Sequence, residues 1–187
     1  MPAPLAWENG VLQHADAVRL LASSELDARA PQTWADLGCG DGVFTRALAS
    51  LLAPGSTIHA MDRDAAALRT LPAELHGVLI RAWAGDVTEQ PWPFGAVDGL
   101  LLANVLHYVR DQAAFLRGCH DQLTPGGYLL VVEYDTDRAN RWVPYPSSRQ
   151  ALTELCTAAG FARVVALGSH PSIYQRAPLY SVLVGKG

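Results

Sequence analysis

The sequence predicts a single α/β domain built on a doubly wound sheet of seven strands. Short apolar runs alternate along the chain with amphipathic helical patterns, as is typical of such sheets. The run Leu100-Leu101-Leu102 shows no apolar–polar alternation, which indicates a central strand covered on both faces. A chain of 187 residues, half of them hydrophobic, suits one domain. We therefore expect one domain over residues 1–187, with a helical segment at 1–32 and the sheet in 33–187.

The first half of the chain predicts three strands and three helices. Strands are expected at residues 33–37, 57–61 and 78–84, which are short apolar runs next to turn-forming residues. A third helix is expected at 65–71, ended by Pro72, and the helix before it should stop at Pro54-Gly55. The first two helices have apolar stripes, formed by Leu12, Ala15, Val18, Leu21 and Ala22 in the leading helix and by Val43, Phe44, Ala47, Leu48, Leu51 and Leu52 in the next.

The second half predicts four more strands, at residues 97–103, 128–133, 162–167 and 179–184. Two helices lie between them and should end at Pro125-Gly126-Gly127 and at Gly160. Their apolar stripes are formed by Phe115, Leu116, Cys119 and Leu123 and by Leu152, Leu155, Cys156 and Ala159. Two loops remain, at 135–147 and 168–178, and both contain arginine and aromatic residues.

The bulk composition argues against several classes of protein. A net charge of −4 gives no general attraction for nucleic acid or for an anionic membrane surface. Three widely spaced cysteines suggest neither a disulfide framework nor a zinc site, and we expect no metal. No apolar stretch is long enough to span a bilayer, and the first residues lack the features of a signal peptide. We therefore expect a cytoplasmic protein, whose oligomeric state the sequence does not determine.

The loop Asp36-Leu37-Gly38-Cys39-Gly40-Asp41-Gly42 is the strongest functional signal. It lies between a predicted strand and a predicted helix, where glycines let the backbone turn sharply and approach a ligand. Nicotinamide and flavin cofactors place a pyrophosphate at such a helix N-terminus and use G-x-G-x-x-G spacing. The spacing here is G-x-G-x-G, and Asp36 and Asp41 would repel a pyrophosphate. They suit the ammonium and sulfonium groups of S-adenosylmethionine, so a nicotinamide-dependent oxidoreductase is the less favoured alternative.

Two further aspartates lie at the ends of predicted strands. Asp62 follows Gly42 by twenty residues, about where an acid reaches the ribose hydroxyls of a nucleotide. Asp86 ends the third strand and can accept a hydrogen bond from an adenine amine. The alternative for each is a helix cap or a solvated loop acid. With the glycine loop, the two acids predict a nucleoside-binding site at the carboxyl edge of the sheet.

These segments resemble the class I S-adenosylmethionine-dependent methyltransferases, and in particular their small-molecule branch. The resemblance covers roughly residues 33–187 and depends on the glycine loop, Met61-Asp62-Arg63-Asp64, Gly85-Asp86-Val87, Asn104-Val105-Leu106-His107-Tyr108, Leu123-Thr124-Pro125-Gly126-Gly127-Tyr128-Leu129 and Ala159-Gly160-Phe161. It implies a Rossmann-like seven-stranded sheet with an antiparallel last strand. The cofactor-binding residues that it implies are Asp36, Gly38, Cys39, Gly40, Asp62, Arg63, Asp86, Val87 and Asn104. The backbone around Gly38 and Asn104 would hold the methionine moiety, Asp62 the ribose, and Asp86 with Val87 the adenine.

The resemblance implies in-line methyl transfer to a small-molecule acceptor. Holding the two reactants together can provide ~7–11 kcal/mol, so no catalytic side chain is obligatory. His107 is a candidate base, with a merely packed histidine as the alternative. Arg138, Arg141, Tyr174 and Arg176 are candidate contacts to a planar, acidic acceptor, with solvated loops as the alternative.

Other functions remain open at this point. A non-catalytic S-adenosylmethionine-binding or regulatory protein would show the same motifs. An RNA methyltransferase is less favoured, because the chain has neither a basic stripe nor an appended RNA-binding domain. Asn104 also lacks the Pro-Pro-aromatic continuation typical of relatives that methylate nucleobase or amide nitrogen.

Overall fold

In a computed structural model, which describes residues 12–26, 30–172 and 177–187, the chain forms one eight-stranded sheet. The strands, in chain order, are β1 (Thr33–Leu37), β2 (Thr57–Asp62), β3 (Glu74–Leu75), β4 (Val78–Ala84), β5 (Val97–Ala103), β6 (Leu123–Tyr134), β7 (Arg163–His170) and β8 (Leu179–Gly185). Their order in the sheet is β3-β4-β2-β1-β5-β6-β8-β7. Strands β4, β2, β1, β5 and β6 pair in parallel, and β8 is antiparallel to both of its neighbours.

The predicted fold class is confirmed: a doubly wound α/β sheet with an antiparallel last strand. All seven expected strands are present, and the sheet gains an edge strand, β3, which pairs antiparallel with β4. Its turn consists of His76 and Gly77, both with positive φ (55° and 77°), as a two-residue hairpin turn requires. A strand of two residues is too short to produce an apolar pattern, so periodicity could not reveal it.

Five α-helices and one 3₁₀ turn accompany these strands within the described residues. The helices are α1 (His14–Leu21), α2 (Val43–Ala49), α3 (Ala65–Leu68), α4 (Gln112–Gln122) and α5 (Arg149–Ala158), and the 3₁₀ turn covers Leu106–Tyr108. Helix α3 is shorter than the expected 65–71. Leu123, expected on α4, instead opens the long strand β6. None of the helices in the described ranges is long and apolar enough to cross a membrane.

The apolar face predicted for the leading helix is correct at Leu12, Val18 and Leu21, which belong to or pack against the apolar core, and wrong at two alanines. Ala17, Leu20 and Leu21 are buried, whereas Ala15 and Ala22 are exposed. Ala22 already has an extended backbone, so it is not part of the helix. Asp16 shares the buried side and accepts hydrogen bonds from the Arg19 side chain and the Gln13 backbone. A polar residue that has local hydrogen-bond partners can thus be buried at a helix position that the apolar pattern predicts to be exposed.

The two faces of the sheet are covered by separate apolar clusters. Leu100 and Leu102 belong to the cluster that includes residues of α4 and α5, and Leu101 belongs to the cluster that includes residues of α1 and α2. All three leucines are fully buried, as the sequence predicts for a strand covered on both sides. Full burial of each such side chain contributes ~1.5–3 kcal/mol, so the central strands form a firm support for the loops at their ends.

Candidate functional site

A cleft of about 450 Å³ lies at the carboxyl edge of the sheet, where β1, β2, β4 and β5 end. It is lined by Gly38, Asp62, Arg63, Gly85, Asp86, Val87, Thr88, Asn104, Val105, Tyr108 and Val109. Six of the nine predicted cofactor-binding residues are among them: Gly38, Asp62, Arg63, Asp86, Val87 and Asn104. The other three, Asp36, Cys39 and Gly40, lie in the glycine loop but do not line this cleft.

The glycine loop is tied to the end of β2. The backbone N–H groups of Gly38 and Cys39 donate to the carbonyl oxygen of Met61, at 2.7 and 3.1 Å. Gly38 has a φ of +77°, and a Cβ there would lie 2.3 Å from Cγ2 of Val105. Only glycine combines this left-handed conformation with so close an approach. Glycine at this position therefore allows the loop to pack directly against Val105, a residue of the cleft wall.

Asp62 lines the cleft and is held there by two backbone groups. One carboxylate oxygen accepts from the N–H of Gly40 and the other from the N–H of Asp64, each at 2.8 Å. Each oxygen keeps further capacity to accept a hydrogen bond. The carboxylate therefore has a fixed orientation and can still bind a pair of hydroxyl groups. Gly40 contributes by orienting Asp62.

Asp86 has its orientation set by Thr88. Its Oδ1 accepts from the Thr88 N–H at 2.8 Å and from the Thr88 hydroxyl at 2.7 Å. These two hydrogen bonds, followed by the nearby Arg63 guanidinium, hold the pKa of the Asp86 carboxyl below its usual range. The exposed side chain is thus an ionised acceptor at neutral pH, with its second oxygen available.

Asp36 is buried beneath the loop, with 1% of its surface exposed. Its Oδ2 accepts from the Thr45 hydroxyl at 2.6 Å, whereas Oδ1 has no hydrogen-bond partner among the described residues. Burial raises the pKa of this carboxyl to about 7, against the opposing effect of the Thr45 hydrogen bond. The charge predicted at this position is therefore only partial at neutral pH. Cys39 is also buried, and burial raises the pKa of its thiol above the usual range.

Asn104 lines the cleft and carries a buried side-chain acceptor. Its backbone has a φ of +58°, and its N–H donates to the Val132 carbonyl at 2.8 Å. The side-chain oxygen is buried and has no partner in the described part of the chain. Buried polar groups are almost always hydrogen-bonded, so an unsatisfied oxygen in a cleft wall fits a ligand that carries a donor. The ammonium group of S-adenosylmethionine is such a donor.

His107 forms a buried pair with Glu133, a residue at the end of β6 that the sequence analysis missed. The distance between His107 Nδ1 and Glu133 Oε2 is 2.6 Å, and 3% and 2% of the two side chains are exposed. Oε1 of Glu133 accepts from the His107 backbone N–H at 3.2 Å. His107 does not line the cleft, but its neighbour Tyr108 does. Nothing near Glu133 in the sequence signals its partner, which lies 26 residues away.

The loop at 135–147 leaves the same sheet edge and is attached to the 3₁₀ turn. The Tyr145 N–H donates to the His107 carbonyl at 3.0 Å. Arg138 and Arg141 are exposed and do not line the cleft, and the Arg141 guanidinium lies 5.2 Å from the ring centre of Trp142. In the later loop, residues 168–170 belong to β7, and Tyr174 and Arg176 lie outside the described residues.

Five residues of the cleft wall were not predicted: Gly85, Thr88, Val105, Tyr108 and Val109. Thr88 could have been found, because a hydroxyl two residues after a strand-end aspartate is a common turn pattern. Tyr108 and Val109 depend on the direction of the 3₁₀ turn, which the sequence does not fix. No group of three or more histidine, cysteine, aspartate or glutamate side chains in the described ranges could hold a metal ion.

Comparison with known proteins identifies relatives of this chain. Residues 35–131 match the family described as "Methyltransferase domain". An uncharacterized methyltransferase of Mycobacterium tuberculosis is 31% identical over 145 residues, which are 75% of this chain and 68% of the relative. A ubiquinone biosynthesis O-methyltransferase of Xylella fastidiosa is 34% identical over 104 residues, 51% of this chain and 39% of that protein.

Two solved structures have the same fold. An S-adenosylmethionine-dependent methyltransferase of Leishmania major aligns with a TM-score of 0.70 and 20% identity, over 92% of this chain and 72% of that one. Human N-acetylserotonin methyltransferase, in complex with S-adenosylmethionine, aligns with a TM-score of 0.66 and 22% identity, over 91% of this chain and 51% of that one.

Proposed function

The chain belongs to the class I S-adenosylmethionine-dependent methyltransferases, and from this premise we propose that it methylates a small-molecule acceptor. The observation that carries the methyl-transfer activity is the cleft at the sheet edge, whose volume of about 450 Å³ lies within the usual range for small-ligand sites and suits S-adenosylmethionine. The net charge of −4 also disfavours a nucleic-acid acceptor. The names of the Xylella and human relatives refer to small molecules, which supports the same class of acceptor.

We assign the parts of the cofactor to the residues of the cleft. Asn104, with its unsatisfied oxygen, takes the ammonium group, beside the close backbone approach at Gly38. Asp62 takes the ribose hydroxyls, since two backbone N–H groups fix its carboxylate. Asp86, with Val87, takes the adenine. Arg63 lines the same cleft.

Three predicted residues support the site from within the loop. Gly40 orients Asp62 through its N–H. Cys39 is tied to the end of β2 by its backbone N–H. Asp36 lies below the loop and adds negative potential there when it is ionised. The negative charge of Asp36 would favour a cationic ligand, as predicted, but it would act from beneath the loop and without direct contact to the ligand.

We propose that the late loops select the acceptor, through Arg138 and Arg141 in one loop and Tyr174 and Arg176 in the other. The first loop leaves the carboxyl edge at the end of β6 and contacts the 3₁₀ turn beside the cleft. Replacing Arg138 or Arg141 by alanine should weaken acceptor binding while S-adenosylmethionine affinity stays within about twofold, well below the tenfold that ~1.4 kcal/mol represents. Loss of cofactor binding in these variants would contradict this role.

The proposed function is tested by calorimetric titration followed by a metabolite assay. We expect S-adenosylmethionine and S-adenosylhomocysteine to bind, and NAD and FAD not to bind. Incubation of the protein and S-adenosylmethionine with a low-molecular-weight cell extract should yield a compound that has gained one methyl group. Cofactor binding without any methylated compound would favour the alternative, a non-catalytic S-adenosylmethionine-binding protein. Methylation of added RNA alone would contradict the small-molecule acceptor.

A further inference from the structure

We propose that the acceptor is a planar aromatic compound, that it binds against the exposed rings of Tyr108 and Tyr145, and that Gln112 is the residue that positions them. This inference depends on the proposed function and adds to it the chemical class of the acceptor. It rests on the grouping of exposed aromatic side chains beside the cleft and on three hydrogen bonds made by one glutamine side chain.

Exposed aromatic side chains are concentrated beside the cleft. Among the described residues, the large hydrophobic side chains that are exposed are Leu79, Tyr108, Trp142 and Tyr145. The three aromatic ones are 56%, 64% and 40% exposed and belong to the 3₁₀ turn or to the loop attached to it, whereas Leu79 is on β4. Single apolar side chains are common on protein surfaces, but a group of them commonly marks a binding site. The grouping therefore indicates that this part of the cleft rim binds a ligand.

The 3₁₀ turn and its flanks supply the apolar part of the cleft wall. Val105, Tyr108 and Val109 line it there, in contrast to the acids Asp62 and Asp86 near the ends of β2 and β4. Tyr108 and Val109 have no part in the cofactor contacts that we assign, so they are available to an acceptor. Aromatic rings pair with other aromatic rings in offset or edge-to-face arrangements. A planar aromatic acceptor can use such contacts, and a saturated ring of the same size cannot.

The loop that carries the other exposed rings has a fixed backbone. The side-chain oxygen of Asn140 accepts from the N–H groups of Trp142 and Val143, at 2.8 and 3.0 Å. Val143 is buried in the same turn of the chain. The Tyr145 N–H donates to the His107 carbonyl at 3.0 Å, which attaches the loop to the 3₁₀ turn. Because these backbones are held before a ligand binds, less conformational entropy is lost on binding.

Gln112, the first residue of α4, joins the loop to the 3₁₀ turn a second time. Its amide nitrogen donates to the carbonyl oxygens of Leu106 and Tyr145, at 3.0 and 2.7 Å. Its amide oxygen accepts from the Ser147 hydroxyl at 2.6 Å, and the Ser147 carbonyl accepts from the buried Tyr180 hydroxyl at 2.9 Å.

The three hydrogen bonds of Gln112 require an amide. A side-chain amide has two N–H donors and a carbonyl acceptor, and here both the nitrogen and the oxygen are used across two segments. An ionised glutamate has no donor and could not bind the two carbonyl oxygens. Gln112 therefore sets the spacing between the backbone that carries Tyr108 and the backbone that carries Tyr145.

The first test compares a planar probe with a saturated one. The affinities of 2-naphthoate and decahydro-2-naphthoate are measured by saturation-transfer NMR on protein saturated with S-adenosylhomocysteine. Both probes have the same carbon skeleton and carboxylate, so the arginines of the loop affect them alike. 2-Naphthoate should bind about fivefold more tightly, since ring pairs contribute beyond the area that they bury. Equal or weaker binding of 2-naphthoate would overturn the proposal.

The second test removes the rings and keeps apolar side chains. In Tyr108→Leu and Tyr145→Leu, each saturated with S-adenosylhomocysteine, the preference for 2-naphthoate over the saturated probe should fall by roughly two- to tenfold. Leu79→Ala, which removes an exposed apolar side chain of β4, is the control and should keep the wild-type preference. A wild-type preference in both tyrosine variants would show that the rings do not contact the probe.

The third test separates a positioning role of Gln112 from a structural one. Gln112→Glu removes both donors, Gln112→Ala removes the side-chain amide without adding charge, and both should reduce the preference for 2-naphthoate by roughly two- to fivefold. Gln150→Glu, the same change at an exposed glutamine of α5, is the matched control and should have no effect. A lower Tm with an unchanged preference in the two Gln112 variants would mean that Gln112 is only structural.

The outcomes separate this inference from the proposed function. A protein that did not bind S-adenosylhomocysteine would contradict the proposed function itself. Binding of S-adenosylhomocysteine without a preference for the planar probe would overturn the inference alone, and so would the absence of binding by either probe. In those two cases the metabolite assay still decides the proposed function independently.

Discussion

Three aspartates at the ends of neighbouring strands have three different environments. Asp36 is buried, and one of its oxygens has no hydrogen-bond partner among the described residues. Asp62 is held by two backbone N–H groups, and Asp86 is exposed and held by Thr88. The same side chain is therefore partly protonated at the first position and ionised at the third. What each carboxylate can do depends on its hydrogen-bond donors and its burial, and each can be tested separately.

Replacing Asp62 by alanine should weaken S-adenosylmethionine binding by roughly ten- to a hundredfold, since hydrogen bonds to charged groups contribute ~1.5–3 kcal/mol each. Asp86→Asn should weaken it less, because the amide oxygen can still accept a hydrogen bond. Calorimetric titration measures both. Asp64→Ala is the control: Asp64 caps α3 through the N–H groups of Ala66 and Ala67 and does not line the cleft. An Asp62→Ala variant with wild-type affinity would mean that the ribose is bound elsewhere.

Asp36 should make the cofactor-free protein less stable as the pH rises. Its pKa is about 7 in the folded state and near 3.8 when unfolded. Between these values the folded state binds the proton that the unfolded state releases, so this contribution to stability is complete below about pH 4 and is lost as the pH rises through about 7. The slope is at most ~1.4 kcal/mol per pH unit. Denaturant unfolding at pH 5 and pH 7.5 should show a larger loss for wild type than for Asp36→Asn, which cannot titrate. Identical losses would show that the folded state does not hold this proton.

The loop that connects β1 to α2 depends on glycine at position 38. Gly38→Ala would strain a backbone with a φ of +77° and push Val105 out of the cleft wall. The left-handed conformation alone costs ~1–2 kcal/mol. We expect a lower Tm and weaker S-adenosylmethionine binding, measured by thermal unfolding and titration. Gly95→Ala is the matched control, because a Cβ there meets nothing within 4 Å. Equal effects of the two changes would contradict the close approach at Gly38.

At the level of elements, the sequence was most informative where local pattern decides the structure. The strand at 97–103 agrees to the residue because a run of buried leucines between turns has few alternatives. The predicted face of the leading helix was wrong at Ala15 and Ala22, whereas Asp16 is buried with local hydrogen-bond partners. The His107–Glu133 pair could not be predicted from the sequence either, because it joins residues from different elements and depends on the direction of the 3₁₀ turn. Long-range polar contacts of this kind produce no repeating pattern of residues in the sequence.

The cofactor site that we propose extends across several strands at once. Residues of the cleft follow β1, β2, β4 and β5, which are neighbours in the sheet although they are spread along the chain. A ligand bound there contacts segments that approach each other only when the sheet is formed. Binding should therefore stabilise the folded state as a unit, and little or no affinity should remain in the unfolded chain.

Thermal unfolding measures this coupling directly. At a ligand concentration of one hundred times Kd, binding to the folded state alone adds ~2.7 kcal/mol. For a domain of this size, ~1 kcal/mol raises Tm by roughly 2–4 °C, so S-adenosylmethionine should raise it by about 5–11 °C in one cooperative transition. NAD at the same concentration should give no shift, and Asp62→Ala should need a correspondingly higher concentration to reach the wild-type shift. If the ligand altered only an early, partial transition and left the main one unchanged, the site would belong to a locally folded segment and not to the sheet as a whole.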